Sequence, residues 1–275
     1  GQLKKQDVLL LSKAQADELV KELKGGPWTV KDVEEKIKNS HPKPPFTTST
    51  LQQEAARKLR SSARKTMRTA QRLYEQGFIT YMRTDGIDMA PEAVQAARAV
   101  INERYGAQYV PEQPRLYKNK AKNAQEAHEC IRPTEMEQAP NSLKIADADQ
   151  RKLYDLIWKR TVASQMTQAK LKQTAVTIVN QKTEFRANGQ VIFFPGYMRV
   201  YVEGQDNPDK DLANKERILP EMSNGESLNC SELKSESHTT KPPARYTEAS
   251  LVKALEENGI GRPSTFASIM GTIVR

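Results

Sequence analysis

The chain has 275 residues and carries 43 Lys and Arg against 34 Asp and Glu, a formal net charge of +9 at pH 7. This length exceeds the usual size of one domain, so we expect two or three compact units. The excess of basic residues favours a polyanionic partner, most simply nucleic acid. No apolar run is long enough to cross a membrane, and the 2 cysteines exclude a disulfide framework or a four-thiolate zinc site.

The N-terminal region predicts two strands, a helix and a stiff connector. Residues 7–11 form an apolar run typical of a buried strand, and Ser12 is a suitable N-cap for a helix over residues 13–23. Residues 28–39 predict a second strand. The run His-Pro-Lys-Pro-Pro at residues 41–45 predicts an extended connector and a domain boundary.

A long helical pattern covers residues 50–76, with apolar residues spaced along one face. Four arginines recur at three- and four-residue steps on another face: Arg57, Arg60, Arg64 and Arg68. Solvation alone accounts for many charged helix faces, but few acidic residues oppose these arginines. We therefore expect the stripe to face phosphate groups.

The pattern changes from helical to strand-like past the middle of the chain. Helices are predicted over residues 91–105 and 147–166. The next region predicts short strands at residues 172–179, 184–187, 191–194, 198–202 and 226–234. Asn188-Gly189 predicts a hairpin turn. Residues 45–167 thus predict a mostly helical unit, and residues 168–240 a mostly β unit.

The most informative stretch is residues 77–86, which read Gly-Phe-Ile-Thr-Tyr-Met-Arg-Thr-Asp-Gly. In extended backbone every second side chain points the same way, so we expect Tyr81, Arg83 and Asp85 to share one face. That face would carry a nucleophile, an anion-binding cation and a group that orients either one. A tyrosine in a strand is more often a packing residue, so the interpretation depends on further motifs.

A second motif reads Asn-Ala-Gln-Glu-Ala-His-Glu-Cys-Ile-Arg-Pro-Thr at residues 123–134. It predicts a helix that carries His128 and stops before Pro133. His128 can donate a hydrogen bond to a phosphate oxygen while a carboxylate holds its other nitrogen, and Arg132 adds a fixed cation. An exposed helix with an incidental histidine is the simpler alternative.

A third motif covers residues 242–265. Thr247 is a suitable N-cap, and Gly259 and Gly261 allow a tight turn before a helix that Pro263 would start. Arg262, Ser264 and Thr265 would lie at the positive end of that helix, a ready anion site. Helix, turn and helix is also the geometry of a DNA reader, although an ordinary helical hairpin has the same pattern.

Taken in this order, the three motifs resemble the signatures of the type IA DNA topoisomerases, and the Tyr-Met-Arg-Thr-Asp form is that of the bacterial topoisomerase I type. Two residues depart from the family pattern. The family has a small apolar residue where Cys130 stands, and commonly a serine where Gly86 stands. The resemblance implies a multidomain α+β toroid. Its β arch would comprise residues 1–44 and 168–240. Residues 45–167 would form its winged-helix-like tyrosine domain, and residues 241–275 would start a DNA-groove domain.

The resemblance also implies the chemistry. Tyr81 would attack a single-strand phosphodiester and form a 5′-phosphotyrosine, followed by strand passage and religation without ATP. Arg83 would stabilise the charge on the phosphoryl oxygens, and His128 and Asp85 would act beside Arg83. The implied partner is single-stranded DNA, bound by a monomer through Arg57, Arg60, Arg64, Arg68, Arg132, Arg262, Ser264 and Thr265.

One part of the implied machinery has no counterpart in this sequence. A free tyrosine is protonated at neutral pH and needs help to attack. The family supplies acidic residues and Mg²⁺ from a toprim domain, which is absent here, as are zinc-ribbon domains. We therefore expect no metal ligands and no relaxation by this chain alone, and a location in the bacterial cytoplasm or a DNA-containing organelle. A single-stranded DNA-binding module without chemistry and a purely structural fragment remain the alternatives.

Overall fold

A computed structural model describes residues 11–117, 128–204 and 217–273. The chain divides into two compact units. The sheet unit comprises residues 1–38, 172–191 and 216–244, and the helical unit comprises the remainder, residues 39–171, 192–215 and 245–275.

The sheet unit combines one helix with a four-stranded sheet. Helix α1 (Lys13–Leu23) begins at Ser12, whose hydroxyl accepts from the Gln15 N–H while the Gln15 side chain accepts from the Ser12 N–H. The strands β1 (Trp28–Ser40), β2 (Ala169–Asn180), β3 (Thr183–Phe194) and β4 (Ser227–Leu228) lie in the order β3-β2-β1-β4. The strand predicted over residues 7–11 lies outside the described residues.

The predicted hairpin at Asn188-Gly189 is wrong, because β3 runs through these residues without a break. The chain turns instead between β2 and β3, where Gln181 has a φ of 53°. Gly189 serves a different purpose, since a Cβ there would lie 2.9 Å from the Arg217 carbonyl oxygen. A glycine inside a strand marks such a close approach of another backbone.

Two further strand predictions are wrong, the first entirely and the second in its length. Residues 198–202 do not form a strand, because a 3-10 helix occupies Gly196–Arg199 and irregular chain follows. Gly196 has a φ of 49°, and a Cβ there would lie 2.4 Å from the Gln168 carbonyl oxygen. The strand predicted over 226–234 shortens to the two residues of β4.

The described part of the helical unit contains six α-helices, and its helix bounds follow the local capping signals. They are α2 (Thr48–Leu59), α3 (Ala63–Glu75), α4 (Pro91–Tyr105), α5 (Ala148–Ser164), α6 (Glu248–Glu257) and α7 (Phe266–Ile273). Thr247 caps α6, as the sequence predicts. Asp147, the first residue of the helix predicted over residues 147–166, is the N-cap of α5. The predicted α+β class is confirmed.

The single helix predicted over residues 50–76 is wrong, because α2 and α3 are separate. Arg60 adopts a left-handed conformation with a φ of 50° and ends α2, and its N–H donates to the Ala55 carbonyl. Ser62 then caps α3 through the Lys65 N–H. Serine favours such caps over the helix interior, which explains the break.

The core of the helical unit lies between α2, α3, α4 and α5. Its largest fully buried side chains include Phe46, Leu51, Leu73, Ile79, Ile101, Ile131, Tyr154 and Ile157. A smaller apolar cluster joins α6 and α7 to the start of α3 through Ala63, Val252, Leu255, Phe266 and Met270. Among the described helices, none has the length and apolar character to cross a membrane.

Candidate active site

The tyrosine motif lies on an irregular segment between α3 and α4, which bends at Thr80, Met82 and Arg83. Side-chain exposure alternates along it, since Tyr81 and Arg83 are exposed whereas Met82 and Thr84 are buried. Asp85 is half-buried. The predicted alternation is therefore present, although the segment pairs with its neighbours through isolated bridges rather than a regular sheet.

The first turn of α2 holds this segment in place. The Thr48 side chain is fully buried, and its hydroxyl donates to the Met82 carbonyl at 2.7 Å and accepts from the Thr84 N–H at 2.8 Å. The Thr48 N–H donates to the Thr84 carbonyl at 2.9 Å. One buried threonine thus fixes the backbone on both sides of Arg83. Sequence reasoning missed Thr48 because nothing local distinguishes it.

Tyr81 presents its ring at the surface. Its side chain is 51% exposed, and its ring meets Tyr74 of α3 edge-on, with centroids 5.4 Å apart and planes at 70°. Such edge-to-face contacts orient aromatic rings. Within the described residues, nothing hydrogen-bonds to the Tyr81 hydroxyl, which leaves that oxygen accessible.

The helix predicted around His128 is wrong for residues 128–132, and the part before them lies outside the described residues. This stretch is extended, with bridges from Ile131 to Phe46 and from Pro133 to Ile79. Thr80 reinforces the contact, since its hydroxyl donates to the Cys130 carbonyl at 2.7 Å. Tertiary pairing outweighs the local helical pattern here, and it places the second motif directly beside the tyrosine segment.

Gly86 explains how closely these two segments approach. A Cβ at Gly86 would lie 1.7 Å from the His128 carbonyl oxygen, so no side chain fits without movement of the backbone. The glycine that departs from the family pattern is therefore required by the local packing. The His128 side chain itself is exposed.

Cys130, the second departure from the family pattern, is a core residue. It is fully buried, and this burial raises the pKa of its thiol to about 12. A thiol held protonated behaves as a small hydrophobic group. The structure therefore supports the interpretation that the site tolerates Cys as an apolar residue.

Arg132 is committed to protein partners. Its guanidinium donates to the Glu129 carboxylate at 2.6 Å and to the Pro133 carbonyl at 2.8 Å, and its side chain is 13% exposed. Glu129 also accepts from the Ala90 N–H at 3.0 Å, at the start of α4. Arg132 thus stabilises the second motif, and its role in binding DNA stays a prediction.

The helix break divides the predicted arginine stripe into two pairs. Arg57 and Arg60 line a cavity of about 460 Å³ with Ser62 and the start of α6. Arg57 is mostly buried and donates to Glu54 at 3.0 Å. Arg64 and Arg68 lie beyond the break, on α3.

Arg83 lies in a groove between α3 and α7, with a volume of about 510 Å³. The same groove is lined by Arg64, Arg68 and Arg72 from α3 and by Ser264 and Ser268 from the other wall. We call this the α3–α7 groove. Arg83 forms no ion pair or hydrogen bond with any other residue that the structure describes, so its guanidinium is available to an anion. Arg72 is not among the DNA contacts predicted from the sequence.

Asp85 lines a second cavity of about 500 Å³, together with Glu256 and Arg262. The Ser49 hydroxyl donates to the Glu256 carboxylate at 2.7 Å. Loss of hydration around this carboxylate raises the pKa of Glu256, the Ser49 hydrogen bond opposes the rise, and repulsion from Glu257 and Asp85 adds to it. Sequence reasoning missed Glu256, which lies 207 residues from Ser49.

The third motif forms its turn as predicted, but its second helix starts later. Gly259 and Gly261 have φ values of 70° and 85°, and α7 begins at Phe266 rather than Pro263. The Thr265 hydroxyl accepts from the Arg262 N–H at 2.8 Å, which closes the turn. Ser264 remains exposed beside the α3–α7 groove.

The described residues do not gather a metal site. In residues 11–117, 128–204 and 217–273, no three His, Cys, Asp or Glu side chains lie close enough to hold an ion.

The chain is similar along its length to proteins that act on DNA topology. The DNA topoisomerase family model matches residues 2–275, so the chain belongs to the DNA topoisomerase family. The resemblance to the type IA enzymes drawn from the three motifs is confirmed.

Individual relatives agree with this assignment. DNA topoisomerase 1 of Synechocystis sp. is 54% identical over 268 residues, 97% of this chain and 30% of the relative. DNA topoisomerase 1 of Streptomyces coelicolor is 50% identical, over 100% of this chain and 29% of the relative. The structure of full-length topoisomerase I from Thermotoga maritima matches with a TM-score of 0.75 and 37% identity, covering 94% of this chain and 42% of that one. The chain thus spans about 30% of the length of these curated relatives.

Proposed function

We propose that this chain carries the nucleophile of a type IA enzyme that relaxes negatively supercoiled DNA without ATP. The observation that carries the proposal is the pairing of an accessible tyrosine hydroxyl with an available guanidinium two residues away, on a backbone fixed by Thr48. The curated relatives bear the name DNA topoisomerase 1, which supports the same reaction class.

The proposed reaction is a transesterification. The Tyr81 oxygen attacks the phosphorus of a single-strand phosphodiester and loses its proton to a base. A bond forms between that oxygen and phosphorus, the bond to the 3′ oxygen breaks, and that oxygen takes up a proton. Religation reverses these steps, and the energy of the ester bond is retained in the phosphotyrosine.

Arg83 and His128 would act on the reacting phosphate. Charge builds on the phosphoryl oxygens during attack, and a guanidinium already in place stabilises it with little reorganisation. His128 would position the phosphate from the neighbouring segment. Asp85 would orient groups on the other side of Arg83, beside the cavity that it shares with Glu256.

Magnesium, which the resemblance implies, does not fit the described residues, because no ligand cluster forms among them. We place its ligands elsewhere in the parent enzyme and route no step through it. The chain spans only about 30% of its curated relatives. We therefore infer that it does not relax supercoiled DNA unaided, and that a toprim-containing partner with Mg²⁺ would restore cleavage.

The proposed substrate is single-stranded DNA, bound by a monomer in the bacterial cytoplasm or a DNA-containing organelle. Among the predicted contacts, Arg64, Arg68 and Ser264 line the groove that also holds Arg83, and Arg262 lines the cavity that holds Asp85. The roles of Arg57, Arg60, Arg132 and Thr265 remain predictions from the sequence. The sheet unit would belong to the β arch, and the helical unit to the tyrosine and DNA-groove domains.

Denaturing electrophoresis of the parent enzyme with end-labelled oligonucleotide tests the proposal. We expect the wild-type protein to carry label after denaturation and the Tyr81→Phe variant to carry none, because only the attacking oxygen is lost. Tyr74→Phe is the matched control, since it removes a hydroxyl from the neighbouring ring and should keep the label. Label retained by Tyr81→Phe would refute the assignment of the nucleophile, and DNA binding without any covalent product would favour a non-catalytic binding module.

A further inference from the structure

The backbone of Tyr81 is held on both sides, whereas its side chain has little support. Before it, the Thr80 N–H donates at 2.9 Å to a carbonyl of the second motif, and after it the Met82 carbonyl accepts from the Thr48 hydroxyl at 2.7 Å. Within the described residues, the Tyr81 side chain forms no hydrogen bond or ion pair, and the one ring that it contacts is that of Tyr74. The direction of its hydroxyl oxygen therefore depends on this contact.

The C-terminal turn of α3 sets the position of Tyr74. The Gly77 N–H donates to the Tyr74 carbonyl at 2.9 Å, and the Phe78 N–H donates to the Leu73 carbonyl at 2.9 Å. Gly77 has a φ of 77°, so the two hydrogen bonds form a Schellman motif. Leu73 is fully buried in the core of the helical unit and anchors this turn. Tyr74 is therefore fixed relative to the start of the tyrosine segment.

The contact between the two rings orients the Tyr81 phenol without occupying its oxygen. The ring centroids lie 5.4 Å apart and the planes meet at 70°. Rings in this arrangement attract one another edge to face, and the contact favours the paired arrangement by about two- to tenfold. Tyr81 nevertheless stays 51% exposed and Tyr74 40% exposed. A substrate can therefore reach the Tyr81 hydroxyl while the neighbouring ring supports the phenol.

We propose that Tyr74 is a positioning residue for the cleavage reaction, and that its ring holds the Tyr81 phenol in the direction from which the oxygen attacks phosphorus. Attack needs the reacting atoms about 3–3.5 Å apart and aligned, and a phenol that is free to turn meets this condition less often. The ring of Tyr74 supplies the effect, and its hydroxyl does not. This inference rests on the proposed function, in which Tyr81 is the nucleophile, and it adds a residue outside the three motifs.

Single-turnover cleavage of a labelled oligonucleotide by the parent enzyme, at saturating DNA, tests this role. Tyr74→Phe keeps the ring and should cleave at the wild-type rate. Tyr74→Leu keeps apolar bulk without a ring, Tyr74→Ala removes both, and each should cleave about fivefold more slowly. Phe193→Ala is the matched control, because it removes a ring that is 67% exposed on β3 and should keep the wild-type rate.

A merely structural role of Tyr74 predicts a different pattern, in which thermal stability and DNA affinity fall together with the rate. Affinity for the oligonucleotide is therefore measured in the Tyr81→Phe background, where no cleavage interferes, and adding Tyr74→Leu should leave it unchanged. Loss of the fold or of affinity in Tyr74→Leu, or slow cleavage by Tyr74→Phe, would overturn the positioning role of the ring.

Failure of the proposed function gives a separate result. If Tyr81→Phe still carries label after denaturation, the nucleophile is wrong and the positioning role is overturned with it. If Tyr81→Phe carries no label while Tyr74→Leu and Tyr74→Ala cleave at the wild-type rate, the nucleophile stands and the positioning role alone is overturned.

Discussion

Thr48 and Thr84 form a reciprocal pair of hydrogen bonds: the Thr48 N–H donates to the Thr84 carbonyl at 2.9 Å, and the Thr84 N–H donates to the Thr48 hydroxyl at 2.8 Å. The first turn of α2 and the tyrosine segment are therefore one rigid piece. Because Arg83 lies between the two carbonyls that Thr48 contacts, its position depends on a residue outside its own motif.

Replacing Thr48 by Val should destabilise the chain. The change keeps the side-chain shape but leaves the Thr84 N–H buried without a side-chain partner, and an unsatisfied buried group costs about 1–3 kcal/mol. Urea unfolding followed by circular dichroism measures the loss. Thr48→Ser retains the hydroxyl and should recover most of the difference, whereas equal stability of Thr48→Val and wild type would show that the bonds contribute nothing.

Gly86→Ala should disturb the contact between the two motifs. Its Cβ would lie 1.7 Å from the His128 carbonyl oxygen, so the backbone must move. We expect a loss of about 1–3 kcal/mol in the free energy of unfolding, typical of overpacking. Gly25→Ala is the control, since a Cβ there meets nothing within 4 Å. If Gly86→Ala were as stable as Gly25→Ala, the close approach would be wrong.

Glu256 should make stability depend on pH. Its pKa is raised in the folded chain, mainly by loss of hydration, so folding disfavours the ionised form. The stability that the protonated Glu256 side chain contributes is fully present below the ordinary pKa of glutamate, about 4.3. It is lost as pH rises through the raised pKa of the folded chain. Groups that face the carboxylate are Asp85, Glu257, Ser49 and Arg262.

Glu256→Gln removes this dependence while its amide oxygen can still accept from Ser49. The variant should therefore gain stability relative to wild type as pH rises from about 4 towards neutrality. Thermal unfolding across that range gives the comparison, with Glu221→Gln, at an exposed glutamate outside this cavity, as the control. A stability difference between Glu256→Gln and wild type that stays constant with pH would argue against a raised pKa.

Arg83→Ala in the parent enzyme should slow DNA cleavage by roughly two to three powers of ten, the cost typical of one transition-state charge stabiliser. Arg83→Lys should recover part of the rate, because an ammonium does not reproduce the guanidinium fork. Arg186→Ala, which removes an exposed arginine of β3, is the control. Single-turnover cleavage of labelled oligonucleotide measures the rates, and a rate for Arg83→Ala close to that of wild type would exclude the role.

Much of the fold follows from local signals in the sequence. The helices α1, α4, α5 and α6 start at or beside residues with N-terminal preferences, such as Ser12, Pro91, Asp147 and Thr247. Caps act within one turn of their helix, so a sequence pattern suffices to predict these starts. Other conformations are decided by distant segments, as at the extended stretch after His128, and local signals do not predict them.

The residues of the candidate site also divide into those that local motifs predict and those that depend on distant contacts. The motifs identify Tyr81 and Arg83 and indicate the protein family, because these residues lie within one short stretch of the chain. Thr48 and Glu256 escape such reasoning, since their hydrogen bonds cross 34 and 207 residues. The division of the arginine stripe depends on the left-handed conformation of Arg60, which no local propensity favours for arginine.

The central claim is that Tyr81 becomes covalently attached to DNA. Mass spectrometry of peptides from denatured parent enzyme, after reaction with oligonucleotide and nuclease digestion, tests it most directly. We predict one modified peptide that contains residues 77–86, with the nucleotide joined through phosphate to the Tyr81 oxygen. A nucleotide found on the neighbouring Tyr74, or on any other residue, would contradict the account.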